Sequence, residues 1–160
     1  MPYDQIGDFM KDLRGQEGIS AQTLEFAILM AARTGEVIGA RWEEFDLAKG
    51  VWTLPPDRMK AGKEHRVPIS QAALAILENM KAISSSGYVF PGGKTARPLS
   101  NMAMLTPLRR MNRGDLTAHG FRSTFRDWAA ECTAFPREVE AAYRRGDLFE
   151  KRRRRVLEWG

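Results

Sequence analysis

Hydrophobic residues recur with helical spacing along most of the chain, and this pattern predicts a protein built mainly from α-helices. A short amphipathic helix is expected over residues 3–14. The next helix, over residues 21–33, is apolar on most of its sides, which predicts a buried central helix that Ser20 would cap and Arg33 would end. Further helices are predicted after Ser70, over 100–111, over 118–132, after Pro136 and after Asp147.

Two short runs interrupt the helical pattern and predict β-strands. Residues 51–54 form the first run, and residues 66–69 form the second, in which a proline favours an edge strand or a strand end. The segment between them, 59–65, predicts the tip of a hairpin that exposes Lys60 and Lys63. The expected fold is therefore mostly α, with a small antiparallel β-hairpin or three-stranded edge sheet.

Composition and charge narrow the class of protein. The 160 residues, 43% of them hydrophobic, suit one folded domain. No apolar run has the length of a membrane span, and the first residues lack the pattern of a secretory signal. The single cysteine, Cys132, excludes an internal disulfide and a multi-cysteine metal site, and it suits a reducing cytoplasm. The net charge is +5, and arginines crowd the last third, which favours nucleic acid as a partner.

Candidate chemistry begins with His119 and Arg122, three residues apart in the stretch 117–125. Two potential cations on one helical face repel each other, so the pair suits an anion such as a phosphate diester between them. The alternative is a helix start with Thr117 as the N-cap and a partly exposed histidine.

A second candidate pair is Arg33 and Glu36. The two residues predict either a salt bridge at a helix end or a guanidinium that Glu36 holds and aims at a phosphate. Tyr143, with Arg144 and Arg145 directly after it, is either a core tyrosine or a hydroxyl placed near a phosphate.

These pieces, taken in order, resemble the catalytic domain of the tyrosine recombinases, and most closely the prophage-type integrases. The residues 32–42 look like the first-arginine box, 58–70 like the lysine hairpin, and 87–91 like the segment before the next helix. The residues 117–122 look like the histidine–arginine box, and 141–148 like the nucleophile box. Each box alone is a weak signal, whereas all of them in order over the whole chain are a strong one.

The resemblance implies a role for each candidate. Tyr143 would be the nucleophile, forming a 3′-phosphotyrosyl link and freeing a 5′-hydroxyl, and His119 would assist proton transfer. Arg33 and Arg122 would hold the non-bridging oxygens, and Lys60 would protonate the leaving oxygen, although Lys63 on the same hairpin is a rival. Glu36 would orient Arg33, and DNA contacts are expected from Lys63, Arg144 and Arg145. The family needs neither a metal nor another cofactor.

One element of the family pattern is missing. The family has a second histidine, or a tryptophan, between the histidine–arginine helix and the tyrosine, but the histidines of this chain are His65 and His119. Three explanations stay open: decay of a prophage gene, engineering, or omission of a mobile stretch from the sequence. A shortened connection could misplace Tyr143, and a misplacement of about 1 Å can cost on the order of 100-fold in rate.

The resemblance also implies partners and a setting. Residues 1–160 would be one integrase catalytic domain, without the N-terminal arm-binding and core-binding domains of complete integrases. Double-stranded DNA attachment sites and, in a tetramer, other integrase subunits are the expected partners, in the bacterial cytoplasm at the nucleoid. The alternatives are an inactive DNA-binding relic, a type IB topoisomerase-like activity, and a basic helical interaction module without this chemistry.

Overall fold

Helices and one small sheet make up the fold. The computed structural model describes residues 1–59, 62–93, 97–131 and 158–159. Short 3-10 turns at Tyr3–Gln5, Trp42–Glu44 and Pro56–Arg58 supplement the longer elements. These longer elements are α1 (Ile6–Arg14), α2 (Ile19–Leu29), α3 (Thr34–Ile38), β1 (Phe45–Asp46), β2 (Val51–Leu54), β3 (His65–Pro68), α4 (Gln71–Ile83), α5 (Leu105–Arg110) and α6 (Gly120–Glu131).

The α2 helix is the centre of the fold, as its apolar sequence predicted. It contacts α1, α3, α4, α5 and α6, and its residues Leu24 and Phe26 are fully buried. Phe26 packs against the rings of Phe45, Trp52 and Phe90, with centroid distances of 6.2, 5.8 and 5.3 Å. One helix that is apolar on most of its sides therefore joins the helical layer to the sheet.

Both predicted ends of this helix were wrong. Gly18, with φ of 99°, is the N-cap, and Ser20 lies inside the helix. The helix ends at Leu29, and Ala31 then adopts the left-handed φ of 46°. The N–H of Ala32 donates to the Ala27 carbonyl at 3.1 Å, and that of Ala31 to Ile28 at 3.0 Å, which is a Schellman ending. Arg33 consequently lies beyond α2 and forms the N-cap of α3.

The sheet is antiparallel, with the order β1-β2-β3. In the predicted hairpin, Trp52 faces Val67 and Leu54 faces His65. The second strand begins one residue earlier than predicted, at His65, and it is an edge strand, as its proline had indicated. The third strand, β1, lies outside both predicted runs.

The helix start at Ser70 is confirmed, since the Ser70 hydroxyl oxygen accepts a hydrogen bond from the Ala73 N–H at 3.2 Å. The predicted 100–111 helix is shorter, because 101–104 form turns before α5 begins. The predicted helices after Pro136 and Asp147 lie outside the described residues, apart from a helical fragment at 158–159. In the described ranges, no helix combines the length and apolarity that a membrane crossing requires.

Candidate active site: an arginine corner between helices

The predicted pair of Arg33 and Glu36 is in direct contact. The Glu36 carboxylate accepts hydrogen bonds from the Arg33 backbone N–H at 2.9 Å and from Arg33 Nη1 at 2.7 Å. Glu36 therefore fixes the backbone and the guanidinium of the helix N-cap together, since its side chain reaches back over the first turn. The Arg33 side chain is 57% exposed and that of Glu36 is 11% exposed, so the guanidinium is held at one side and open to solvent at another.

Arg122 approaches the same place from α6. Its Nη1 donates to the carbonyl oxygen of Ala31 at 2.6 Å. Ala31 lies only two residues before Arg33, so the turn between α2 and α3 holds one predicted arginine and receives the other. We name this place the arginine corner: Arg33, Glu36, Arg122 and the carbonyl of Ala31.

His119 lies three residues before Arg122 in the chain, in the turn before α6. Its carbonyl oxygen accepts the Arg122 N–H at 3.1 Å, and its side chain is exposed. Thr117 caps this turn, since its hydroxyl oxygen accepts the Gly120 N–H at 3.1 Å. The helix thus begins two residues later than predicted, and His119 precedes it while Arg122 lies in its first turn.

Arg58 is a neighbour of the corner to which the sequence analysis assigned no role. Its Nη2 donates to the carbonyl oxygens of Glu36 at 2.7 Å and Gly35 at 3.4 Å, and its Nη1 pairs with the Glu44 carboxylate. Glu44 is buried, and its second oxygen accepts the Trp52 indole N–H at 2.9 Å. The signal for Arg58 was an arginine two residues before Lys60, but its partners are distant in sequence.

The remaining predicted residues fall into two groups. Lys63 is described and exposed, on the segment that leads into β3. Four residues lie outside the described ranges: Lys60, Tyr143, Arg144 and Arg145.

The aromatic end of the chain packs near the corner. The Trp159 indole N–H donates to the carbonyl oxygen of Ile28 at 3.0 Å. Its ring lies 5.3 Å from Phe125 and 5.1 Å from Trp128, measured between centroids. Trp159 therefore joins α6 to the last turn of α2, while Arg122 joins α6 to the turn that follows α2.

Among the described residues, the shifted pKa values that stand out belong to two exposed ion pairs. A hydrogen bond from the Lys49 side chain lowers the pKa of Asp46, and one from Arg113 lowers the pKa of Asp115 while raising that of Arg113. Both pairs close turns, one after β1 and one before α6. Within the described ranges, no group of three or more potential metal ligands occurs.

Comparison with known proteins decides the family. The sequence profile of the Phage integrase family matches residues 1–143. The chain belongs to the phage integrase family. This membership confirms the resemblance that the ordered boxes indicated. No solved structure matches the chain significantly.

Individual integrases are similar over most of the chain. Prophage integrase IntA of Escherichia coli (strain K12) is 33% identical over 98% of this chain and 42% of its own length. Prophage integrase IntZ of the same strain is 32% identical over 96% and 42%. The integrase of Enterobacteria phage P4 is 29% identical over 79% and 33%. The chain thus spans less than half the length of these relatives.

Proposed function

We propose that this chain is the catalytic domain of a site-specific tyrosine recombinase that cleaves and rejoins duplex DNA. The observation that carries the proposal is the arginine corner. Two guanidiniums from distant parts of the sequence approach one turn, and an intervening anion would offset their mutual repulsion. A phosphate diester fits, because its two non-bridging oxygens accept hydrogen bonds from planar guanidinium donors.

The corner supports catalysis through charge. When a nucleophile attacks the phosphorus, negative charge grows on the non-bridging oxygens of the pentacoordinate transition state. Donors that are already oriented stabilise this charge without reorganising. Arg33, which Glu36 holds, and Arg122, which is anchored on Ala31, would serve as these donors.

The remaining steps are assigned by family. The Tyr143 oxygen would attack the phosphorus, its proton would leave with assistance from His119, and the bond to the 5′-oxygen would break as Lys60 protonates that oxygen. The reverse attack by a 5′-hydroxyl would rejoin the strand. Because the bond from phosphorus to the tyrosine oxygen replaces the bond to the 5′-oxygen, phosphorus stays a diester throughout, and neither step needs an external energy source.

The setting completes the proposal. The chain would form a single catalytic domain with the tyrosine recombinase fold, acting in the bacterial cytoplasm at the nucleoid. It would contact duplex attachment sites through Lys63, Arg144 and Arg145, and assemble as a tetramer in the intact integrase. Its DNA affinity would depend strongly on salt, because contacts to phosphates dominate.

Covalent trapping tests the function. The protein is incubated with a pool of nicked duplex half-sites of randomised sequence, from which the released 5′ fragment diffuses away. A denaturation-resistant protein–DNA band is expected, and Tyr143→Phe should abolish it. Tyr88→Phe is the matched control, since it removes a phenol hydroxyl that bonds Arg41 Nη2 at 3.2 Å elsewhere in the fold. A band that survives Tyr143→Phe would reject the assigned nucleophile.

A second candidate is an inactive, DNA-binding relic of an integrase. The observation that favours it is the lack of any histidine between α6 and Tyr143, where the family pattern has one or a tryptophan. Salt-dependent binding of the same DNA pool without a covalent band would support the relic. A covalent band at unit stoichiometry would exclude it.

A further inference from the structure

A polar network connects the sheet to the first turn of α3. It starts at the Trp52 indole on β2, passes through both oxygens of Glu44, and continues through the Arg58 guanidinium. It ends on the carbonyl oxygens of Gly35 and Glu36. Glu36 is therefore held at two points: Arg58 holds its backbone, while its own carboxylate holds Arg33.

The burial of this network argues for a geometric role. The Glu44 side chain is 4% exposed and that of Arg58 is 19% exposed. A buried ion pair is no more stabilising than apolar residues of the same volume, although removing one partner is costly. What such a pair adds is direction, because a planar guanidinium with several fixed acceptors has one orientation.

Gly39 provides the space for that orientation. A Cβ at this position would lie 2.8 Å from Arg58 Nη2, 3.2 Å from the Gly35 carbonyl oxygen and 3.3 Å from Arg58 Cζ. The φ of Gly39 is −83°, which any residue can adopt, so the backbone conformation does not require glycine. The lack of a side chain is thus explained by the close approach of the guanidinium together with the Gly35 carbonyl that it binds.

We propose that Arg58 is a positioning residue for Arg33. Arg58 holds the Glu36 backbone against the sheet through a hydrogen bond to its carbonyl oxygen. The Glu36 carboxylate, whose position is fixed in this way, then orients the Arg33 guanidinium. The role of Arg33 in binding a phosphate rests on the proposed function. The structural coupling of Arg58 to Arg33 through Glu36 does not depend on that function.

The coupling between Arg58 and Arg33 can be measured independently of DNA cleavage. The readout is the Nε–Hε signal of Arg33 in NMR spectra of the ¹⁵N-labelled chain. Arg33→Lys assigns the signal by its disappearance. Arg58→Lys keeps the positive charge but loses the planar guanidinium that binds several acceptors at once. In this variant the Arg33 signal is expected to shift and broaden towards that of a solvated arginine. Gly39→Ala displaces the guanidinium without deleting it and is expected to do the same. Arg14→Ala, which breaks the ion pair of Arg14 with Glu25, is the control and should leave the signal unchanged.

Covalent trapping then measures whether the position of Arg33 affects the rate of adduct formation. Arg58→Lys is expected to lower the single-turnover rate about 10-fold in the natural background, and less than about 2-fold in an Arg33→Lys background, since both changes act through one group. An unchanged Arg33 signal in folded Arg58→Lys and Gly39→Ala would overturn the proposal, as would fully additive rate losses. A changed signal in a chain that never forms adduct would support the positioning role while rejecting the catalytic function.

Discussion

Arg122 Nη1 lies 2.6 Å from the carbonyl oxygen of Ala31, and this contact ties the start of α6 to the end of α2. Ala31 is the left-handed residue that follows the last turn of α2, so its carbonyl lies outside the hydrogen-bond ladder of that helix and needs a partner from another element. The Arg122 guanidinium supplies that partner. The contact occupies Arg122 Nη1 and fixes the position of the guanidinium beside the turn that holds Arg33.

Replacing Arg122 by lysine should separate anchoring from chemistry. Lysine keeps the charge but cannot hold the Ala31 carbonyl and a phosphate together in one plane. We expect the adduct rate to fall by about 100-fold or more, the usual cost of losing a transition-state donor. The free energy of unfolding should fall by only about 1 kcal/mol. Single-turnover trapping and thermal unfolding measure the two effects, and Arg126→Lys, at an exposed position on the same helix, is the control. Equal losses in both variants would contradict a special role for Arg122.

The left-handed backbone of Ala31 predicts a stabilising substitution. An L-residue with a side chain pays about 1–2 kcal/mol in this conformation, whereas glycine pays little. Glycine also costs more entropy on folding, so Ala31→Gly should raise the free energy of unfolding by about 0.5–1 kcal/mol. For a chain of this size that corresponds to an increase in Tm of about 1–4 °C. Differential scanning calorimetry measures it, with Ala27→Gly inside α2 as the control that should destabilise. A lower Tm for Ala31→Gly would show that the methyl group packs favourably enough to outweigh the backbone cost.

Local patterns predicted the helices well but missed the turn that creates the site. The apolar periodicity gave α2, and the hydroxyl of Ser70 gave the start of α4. The stop at Leu29 was missed because Ala31 stands where a Schellman ending usually has glycine. The two-residue strand β1 was too short to show any alternation.

The contacts of the candidate site also differ in how far apart their residues lie in the sequence, and this separation decided which of them could be predicted. The contact of Arg33 with Glu36 spans three residues, so the sequence alone could predict it. The contact of Arg122 with Ala31 spans 91 residues and depends on the packing of α6 against α2. Arg58 was missed because its partners Glu44 and Glu36 lie 14 and 22 residues away, and only the folded sheet brings them together.

Neutralising Glu36 should affect chemistry more than stability. Glu36→Gln keeps an acceptor for the Arg33 N–H but removes the charge that holds the guanidinium. Because Arg33 is more than half exposed, the pair contributes little to folding, and a change within about 1 kcal/mol is expected. The adduct rate should fall by about 3–10-fold, since a loosely held donor must be ordered in the transition state. Glu25→Gln, which neutralises the partner of Arg14, is the control. A stability loss without a rate loss would leave Glu36 as a capping residue alone.

The two hairpin lysines can be distinguished by the leaving group. If Lys60 protonates the departing 5′-oxygen, Lys60→Ala should lower the adduct rate by about 100-fold or more, within the usual range for a general acid. A substrate with sulfur in place of that oxygen should restore the rate, because a thiol has a pKa near 8.5 and leaves as a thiolate without an acid. Lys63→Ala should lower DNA affinity and its salt dependence with no such rescue, because a lysine that contacts phosphates acts in binding. If the sulfur substrate rescued Lys63→Ala but not Lys60→Ala, the two roles would be exchanged. If it rescued neither variant, neither lysine of the hairpin would be the proton donor.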